Sequence, residues 1–339
     1  MTDITLETLV TVFGGSGFLG RHVVRQLARL GYRIRVAVRR PELAGHLQPL
    51  GRVGQIHAVQ ANLRHQDSIG AAARDADVLI NLVGILFERG RQKFDAVHRS
   101  GAEAVALTAA ALGARLVHVS AIGADERSHS DYARSKAVGE KLVLAALPSA
   151  VILRPSILFG PEDSFFNRFA SIARMSPALP LIGGGHTLFQ PIFAGDVAKA
   201  VVAGIEGPGQ GGRVYELGGP EVRSFEELMR FMLATIGRRR LLIPIPFALA
   251  KLQASLLQLA PRPLLTPDQV ELLRRDNVVS EEAKREGRTI QALGTEPIAM
   301  ESVVPSYLWR FRKTGQFRGQ MSAVRDRTSE IRGPRSDIG

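Results

Sequence analysis

Residues 10–20 read VTVFGGSGFLG, and the fold turns on this stretch. Residues 10–13 are all β-branched or aromatic, the composition of a short buried strand. They run without a spacer into Gly14, Gly15, Ser16 and Gly17, after which Phe18, Leu19 and Gly20 open an apolar repeat of helical period that continues to Leu30. Strand, glycine turn and helix in immediate succession make an anion cradle. The glycines allow a tight turn and let backbone approach a pyrophosphate, and the N–H groups of the first helical turn face its charge. The expected ligand is a dinucleotide. The expected fold is α/β, a Rossmann-type doubly wound parallel sheet.

Further strands follow outward from this turn. Residues 34–38, 56–59, 78–83, 116–120 and 151–153 are short, apolar and rich in β-branched side chains. Helical patterns separate them, among them 96–112 and 132–147. Alternating strands and helices imply parallel strands joined by right-handed crossovers. Beyond residue 160 proline and glycine become denser. There Asp196 is expected to cap a helix over 197–205, and Ser224 with Glu227 to form a capping box for 225–236. The expected organisation is a dinucleotide-binding domain over 1–160. A smaller mixed α/β C-terminal lobe over 161–309 interleaves with it, and an extended or disordered basic tail covers 310–339. That tail holds eight Lys or Arg against three acids. Residues 241–260, LLIPIPFALAKLQASLLQLA, are the most apolar stretch. Pro244, Pro246 and Lys251 argue against a membrane span. Phe247, Leu249, Leu252, Leu256 and Leu259 fall on one helical face, which is either buried in the second lobe or a docking face for a membrane or a partner.

The second strand closes on Arg39 and Arg40. A site selective for NADH places a carboxylate about twenty residues past the glycine turn, on the ribose hydroxyls. Two guanidinium groups pair instead with a 2′-phosphate, so the expected cofactor is NADPH. Asn62 and Leu63 follow the third strand, where an amide could meet the adenine or serve the turn alone. Leu82, Val83 and Gly84 follow the fourth, beside the ribose. Ser120 ends the fifth strand, and Tyr132 and Lys136 follow four residues apart on one helical face. A lysine there favours tyrosinate, a tyrosine so placed exchanges a proton with a substrate oxygen, and a serine holds that oxygen.

The net charge of +12, from 44 Lys and Arg against 32 Asp and Glu, favours anionic partners. Aromatic residues are only 6%, with no aromatic-interleaved basic platform, so nucleic acid is not expected. The absence of cysteine excludes disulfides, thiolate zinc sites and Fe–S ligation by this chain, and no metal is expected. The opening MTDITLETLV lacks both a signal-peptide pattern and the Arg- and Ser-rich character of a mitochondrial presequence.

The glycine turn, Ser120, Tyr132 with Lys136, and Arg154-Pro155-Ser156 together resemble the extended and atypical short-chain dehydrogenases/reductases, over roughly residues 8–300. In that family Pro155 and Ile157 would touch the nicotinamide end. Within it, TVFGGSGFLGRHVV, NLVGIL, HVSAIGA, YARSKAVGEK, ILRPSILFGPEDSFFNRFA and FQPIFAGDVAKAV resemble the nucleotide-binding accessory subunits of respiratory complex I, NADH:ubiquinone oxidoreductase, in a bacterial form. The resemblance implies an NADPH held structurally, off the electron path. It implies a position on the peripheral arm near the quinone region, at the cytoplasmic face of the inner membrane. Its implied partners are other subunits of the peripheral arm and the membrane-arm junction, with anionic lipid. Because Ser120, Tyr132 and Lys136 are all present, a free-standing NADPH-dependent reductase, dehydrogenase or epimerase stays open, as does a redox-sensing regulator.

Overall fold

A computed structural model describes residues 7–207, 211–260 and 263–313. All but the first few residues of the expected basic tail lie outside the described residues. The strands are β1 (Leu9–Phe13), β2 (Arg33–Val38), β3 (Ile56–Gln60), β4 (Val78–Asn81), β5 (Arg115–Val119), β6 (Val151–Pro155), β7 (Ala178–Ile182), β8 (Val214–Leu217) and β9 (Leu241–Ile245), besides two-residue pairs. Seven of them form one parallel sheet in the order β8-β6-β5-β4-β1-β2-β3. This is the doubly wound Rossmann-like arrangement. Its strand order reverses between β1 and β4, and a crevice opens there at the carboxyl ends of the strands.

Both sheet faces are covered, which is why the inner strands are mostly apolar instead of alternating. On one face lie α1 (Phe18–Arg29) and α6 (Ala194–Glu206), where Val23, Val24 and Leu27 share a core with Val197, Val201 and Ile205. On the other lie α2 (Gln66–Ala73), α3 (Ser100–Leu112) and α4 (Asp131–Ala146), packed through Ala102, Val105, Ala106 and Val143. Small residues bring these helices close. A Cβ on Gly139 would lie 2.0 Å from the His98 carbonyl oxygen, so α4 rides directly on the backbone before α3. Away from the sheet, β7 pairs in parallel with β9 beside α5 (Phe166–Met175) and α7 (Phe225–Thr235), around a phenylalanine- and methionine-rich core. Against this group sit α8 (Phe247–Leu257) and α9 (Pro267–Leu272).

Several local expectations change. The helix expected from 96 opens instead as a π turn, Asp95–Arg99, before α3 begins. Asp196 does not cap a helix: α6 starts at Ala194, and the fully buried Asp196 carboxylate accepts the Ile298 N–H at 2.8 Å and pairs with Lys199. Ser224 and Glu227 do form a capping box on α7. The stretch 241–260 divides into the five-residue β9 and the eleven-residue α8, and its leucines are not buried. Leu249, Leu252, Leu256 and Leu259 are exposed while Ala250 and Ala254 face inward. The segment β8, which sequence patterning did not pick out, completes the sheet beside β6.

Candidate nucleotide site and its Ser-Tyr-Lys cluster

The glycine turn closes the end of β1. Gly14 takes a left-handed φ of +81°, its N–H donates to the Ala37 carbonyl on β2, and its carbonyl accepts the Gly17 N–H at 3.0 Å. A Cβ on Gly20 would lie 2.4 Å from the Gly14 carbonyl oxygen, so helix and turn touch backbone to backbone. α1 has no side-chain cap at Gly17 and no acid in its first turn. Its leading N–H groups and the positive end of its dipole are therefore offered to an external anion. This cradle of hydrogen-sized side chains fits a pyrophosphate. Ser16, Phe18 and Leu19 belong to the same bend.

Arg39 and Arg40 follow β2 immediately, both exposed, and neither forms an ion pair among the described residues. Across the crevice, Val83 packs against the turn: a Cβ on Gly14 would meet its Cγ2 at 3.1 Å. Leu82, Val83 and Gly84 continue from β4, and the Val83 N–H donates to Asn81 Oδ1 at 3.1 Å. Asn62 accepts the Arg64 N–H on its Oδ1, at 3.2 Å, beside the buried Leu63. That oxygen thus serves the turn. Pro155 ends β6, and the Ile157 N–H after it donates to Asn277 Oδ1.

Ser120, Tyr132 and Lys136 gather at the carboxyl ends of β4 and β5. Lys136 is 5% exposed, and its ammonium donates to the Val119 carbonyl at 3.3 Å. A Cβ on Gly84 would be 3.4 Å from that Nζ, so only glycine leaves the lysine its room. Burial pushes the Lys136 ammonium down to about 8, with Glu140 pulling the other way. Burial, and then the Asp268 carboxylate, push the Tyr132 phenol up to about 12. The Ser120 hydroxyl is buried and has no hydrogen-bond partner among the described residues. A buried hydroxyl without a partner at the mouth of a crevice fits a polar ligand group arriving there. These atoms suit the ribose and nicotinamide end of a dinucleotide whose phosphates rest on the glycine turn.

Three positioning features went unseen in the sequence. His98 stacks on Phe94 and meets the Tyr132 ring edge-on, with centroids 5.4 Å apart. The Ile85 N–H donates to His98 Nε2, so Nδ1 carries the proton and donates to Ser135 Oγ at 2.8 Å; Ser135 in turn donates to the Tyr132 carbonyl. Burial, Lys136 and His118 hold His98 down to about 2, so it is neutral. Asp268, from α9, accepts the Ser130 hydroxyl at 2.9 Å and the Asp131 N–H at 2.6 Å, and lies 3.3 Å from the Tyr132 N–H. It therefore caps the start of α4 from 137 residues away. Arg154 forks onto Glu140 of α4 and reaches Glu216 of β8. A lone histidine in a helical stretch carries no sequence signal. For Asp268, the Thr266 to Gln269 capping box marks a helix start but says nothing of what that start touches.

A cleft of about 710 Å³ adjoins this cluster, with Phe94, Asp131, Asp268, Glu271, Lys251 and Leu259 among its lining residues. No group of metal-ligating side chains occurs among the described residues.

Residues 10–218 match the NAD dependent epimerase/dehydratase family. The mitochondrial NADH dehydrogenase (ubiquinone) 1 alpha subcomplex subunit 9 of Arabidopsis thaliana is 37% identical over 91% of this chain and 79% of its own length. The ceramide reductase of Caulobacter vibrioides is 36% identical over 70% of this chain and 74% of its own. Among solved structures, the Thermus thermophilus UDP-glucose 4-epimerase in complex with NAD superposes with a TM-score of 0.66 at 18% identity, covering 91% of this chain and 100% of that one. At that identity the likeness speaks for the fold alone.

Proposed function

We propose, from the premise that this chain belongs to the NAD dependent epimerase/dehydratase family, that it is a nucleotide-holding accessory subunit of respiratory complex I. The observation that carries the reading is the 37% identity to the Arabidopsis complex I subunit across nine-tenths of the chain. In this reading NADPH lies across the β1/β4 crevice. Gly14, Gly15, Gly17 and Gly20 approach its pyrophosphate, Ser16, Phe18 and Leu19 present the bend's backbone, and Arg39 and Arg40 pair with its 2′-phosphate. Asn62, Leu63, Leu82, Val83 and Gly84 flank the adenosine, and Pro155 and Ile157 border the nicotinamide. Ser120, Tyr132 and Lys136 close that end.

Bound NADPH would supply a hydride donor. Retention asks of the chain's own groups only that they hold the nucleotide. With the phenol pushed up to about 12 and the lysine pushed down to about 8, Tyr132 is neutral and Lys136 is still mostly charged at neutral pH, so both would donate hydrogen bonds to the ribose. A ligand that binds only the native state stabilises it by mass action without any turnover. The subunit would sit on the cytoplasmic face of a bacterial inner membrane, against the peripheral arm where it meets the membrane arm. No helix among the described residues is long and apolar enough to cross a membrane, in keeping with a peripheral position.

Blue-native electrophoresis of source membranes, followed by mass spectrometry, tests this reading. The chain should co-migrate with complex I subunits and release NADPH on denaturation. Migration only as a free protein without nucleotide would end it. The assembled Ser120, Tyr132 and Lys136 favour a second reading, a free-standing NADPH-dependent reductase. It requires NADPH oxidation with a carbonyl substrate, lost in Tyr132→Phe.

A further inference from the structure

The face presented by α8 is the reverse of an ordinary surface helix. Its inward side is small, through Ala250 and Ala254, both essentially buried. Its outward stripe runs Leu249, Leu252 and Leu256, spaced three to four residues apart and so on one side of the helix, with Leu259 in the turn that follows. Leu252 is 64% exposed, Leu256 69% and Leu259 81%. The preceding strand β9 adds exposed Leu241 and Ile243. Scattered single leucines on a surface need no explanation, but a contiguous set does.

Charge narrows what can cover this face. The forty residues 228–267 contain Arg230, Arg238, Arg239, Arg240, Lys251 and Arg262, with no acid at all. That run accounts for +6 of the chain's net +12, with Arg230 paired to Glu226 just outside it. Of the two acids on the adjoining helix α9, Asp268 is spent on the start of α4 and Glu271 is paired with Arg274, whose guanidinium also sits 4.7 Å over the Phe247 ring. Two copies meeting through this face would oppose cation to cation. An apolar helical stripe whose own segment of chain carries cations and no acid suits an anionic bilayer, where leucines enter the acyl boundary and Lys and Arg meet headgroup phosphates. The acids Glu88, Asp131, Asp268 and Glu271 lie on the lining of the neighbouring cleft.

We infer that the leucine stripe of α8, with β9, seats the protein on a bilayer carrying anionic headgroups. This gives the membrane-proximal part of the proposed function a named surface and rests on that reading only for which membrane is meant. Lys251 and Leu259 line both this face and the cleft beside the Tyr132 helix, so that cleft borders the bilayer.

The test is flotation of the NADPH-loaded full chain with vesicles of phosphatidylcholine alone, or of equal parts phosphatidylcholine and phosphatidylglycerol. The chain should float with the anionic vesicles, stay below with the neutral ones, and be released by raised salt. Leu252→Ser with Leu256→Ser should weaken binding by about tenfold or more. Arg239→Glu with Lys251→Glu should do the same through charge, at about fivefold per cation. Each variant changes exposed positions, so unaltered circular dichroism and nucleotide content establish that it is folded. Indifference of the wild type to both vesicles overturns the inference, as does vesicle binding unchanged in the leucine variant. Two further results also overturn it: a dimer that the leucine variant dissolves assigns the face to a second copy, and vesicle-independent capture by other complex I subunits, lost in that variant, assigns it to a protein. Vesicle binding by a chain that does not migrate with complex I would sink the accessory-subunit reading and leave this one standing.

Discussion

Helices α1 and α8 both follow a strand through a short turn and both carry an apolar stripe, yet they point those stripes in opposite directions. In α1, Val23, Val24 and Leu27 are fully buried against α6 and the sheet. In α8 the alanines are inside and the leucines outside. The difference lies in what each helix has to pack against. α1 crosses a broad sheet face whose β-branched residues offer a deep apolar surface. α8 meets only Ile182, Val270 and a few half-buried neighbours, and close approach there is available only to small side chains. An apolar stripe thus reports that a surface wants covering. Whether the chain itself supplies the cover is a matter of neighbours.

The sharpest way to break this comparison is a matched pair of truncations. Leu27→Ala should cost about 2–5 kcal/mol of stability, because it opens a cavity in a packed core. Urea unfolding would measure it, and a cost near zero would mean the α1 core is not packed as described. A smaller effect is expected on the ligand side of α1. Arg39→Asp with Arg40→Asp should weaken NADPH binding by about a hundredfold, from the loss of two charge-assisted hydrogen bonds worth about 1.5 kcal/mol each at exposed side chains, and raise the relative affinity for NADH. Titration calorimetry showing an unchanged NADPH preference would remove these arginines from the 2′-phosphate.

A third effect is a dependence on pH set behind the Ser-Tyr-Lys cluster. His118 is buried on β5 with both ring nitrogens unpartnered among the described residues, and burial and then Lys136 hold it down to about 3. Between that value and its ordinary 6.5 the unfolded chain binds more protons than the folded one. Stability should therefore fall as pH is lowered from about 6.5 toward 3. In His118→Leu the melting temperature should decline less over that window; an identical pH profile would rule out the histidine as its source. The smallest effect belongs to α8. Leu252→Ala should change stability by no more than about 0.5 kcal/mol, since the side chain loses no packed neighbours. A cost matching that of Leu27→Ala would erase the distinction between the two helices.

Much of the sheet was readable because its inner strands are covered on both faces and so appear as mostly apolar runs. Boundaries moved by a residue or two, as at β4, which ends at Asn81, and β5, which ends at Val119. The missed strand β8 reads VYEL, and its Glu216 interrupts the apolar signal because that carboxylate is spent on Arg154 and the Ser280 N–H. The Asp196 expectation failed because an acid before an apolar repeat looks the same whether it caps its own helix or receives an N–H from residue 298.

Local order along the chain was enough to determine the glycine turn, the parallel α/β alternation and the spacing of Tyr132 and Lys136. In each of these the chemistry lies between residues a few positions apart, where backbone sterics and helical or strand period leave little choice. Only the tertiary structure decided that Asp268 caps α4, that His98 is a neutral prop beneath Tyr132, and that α8 shows its leucines to the outside. Those outcomes depend on burial and on partners 34 to 138 residues distant, and no spacing within a single segment encodes which surface will be met there.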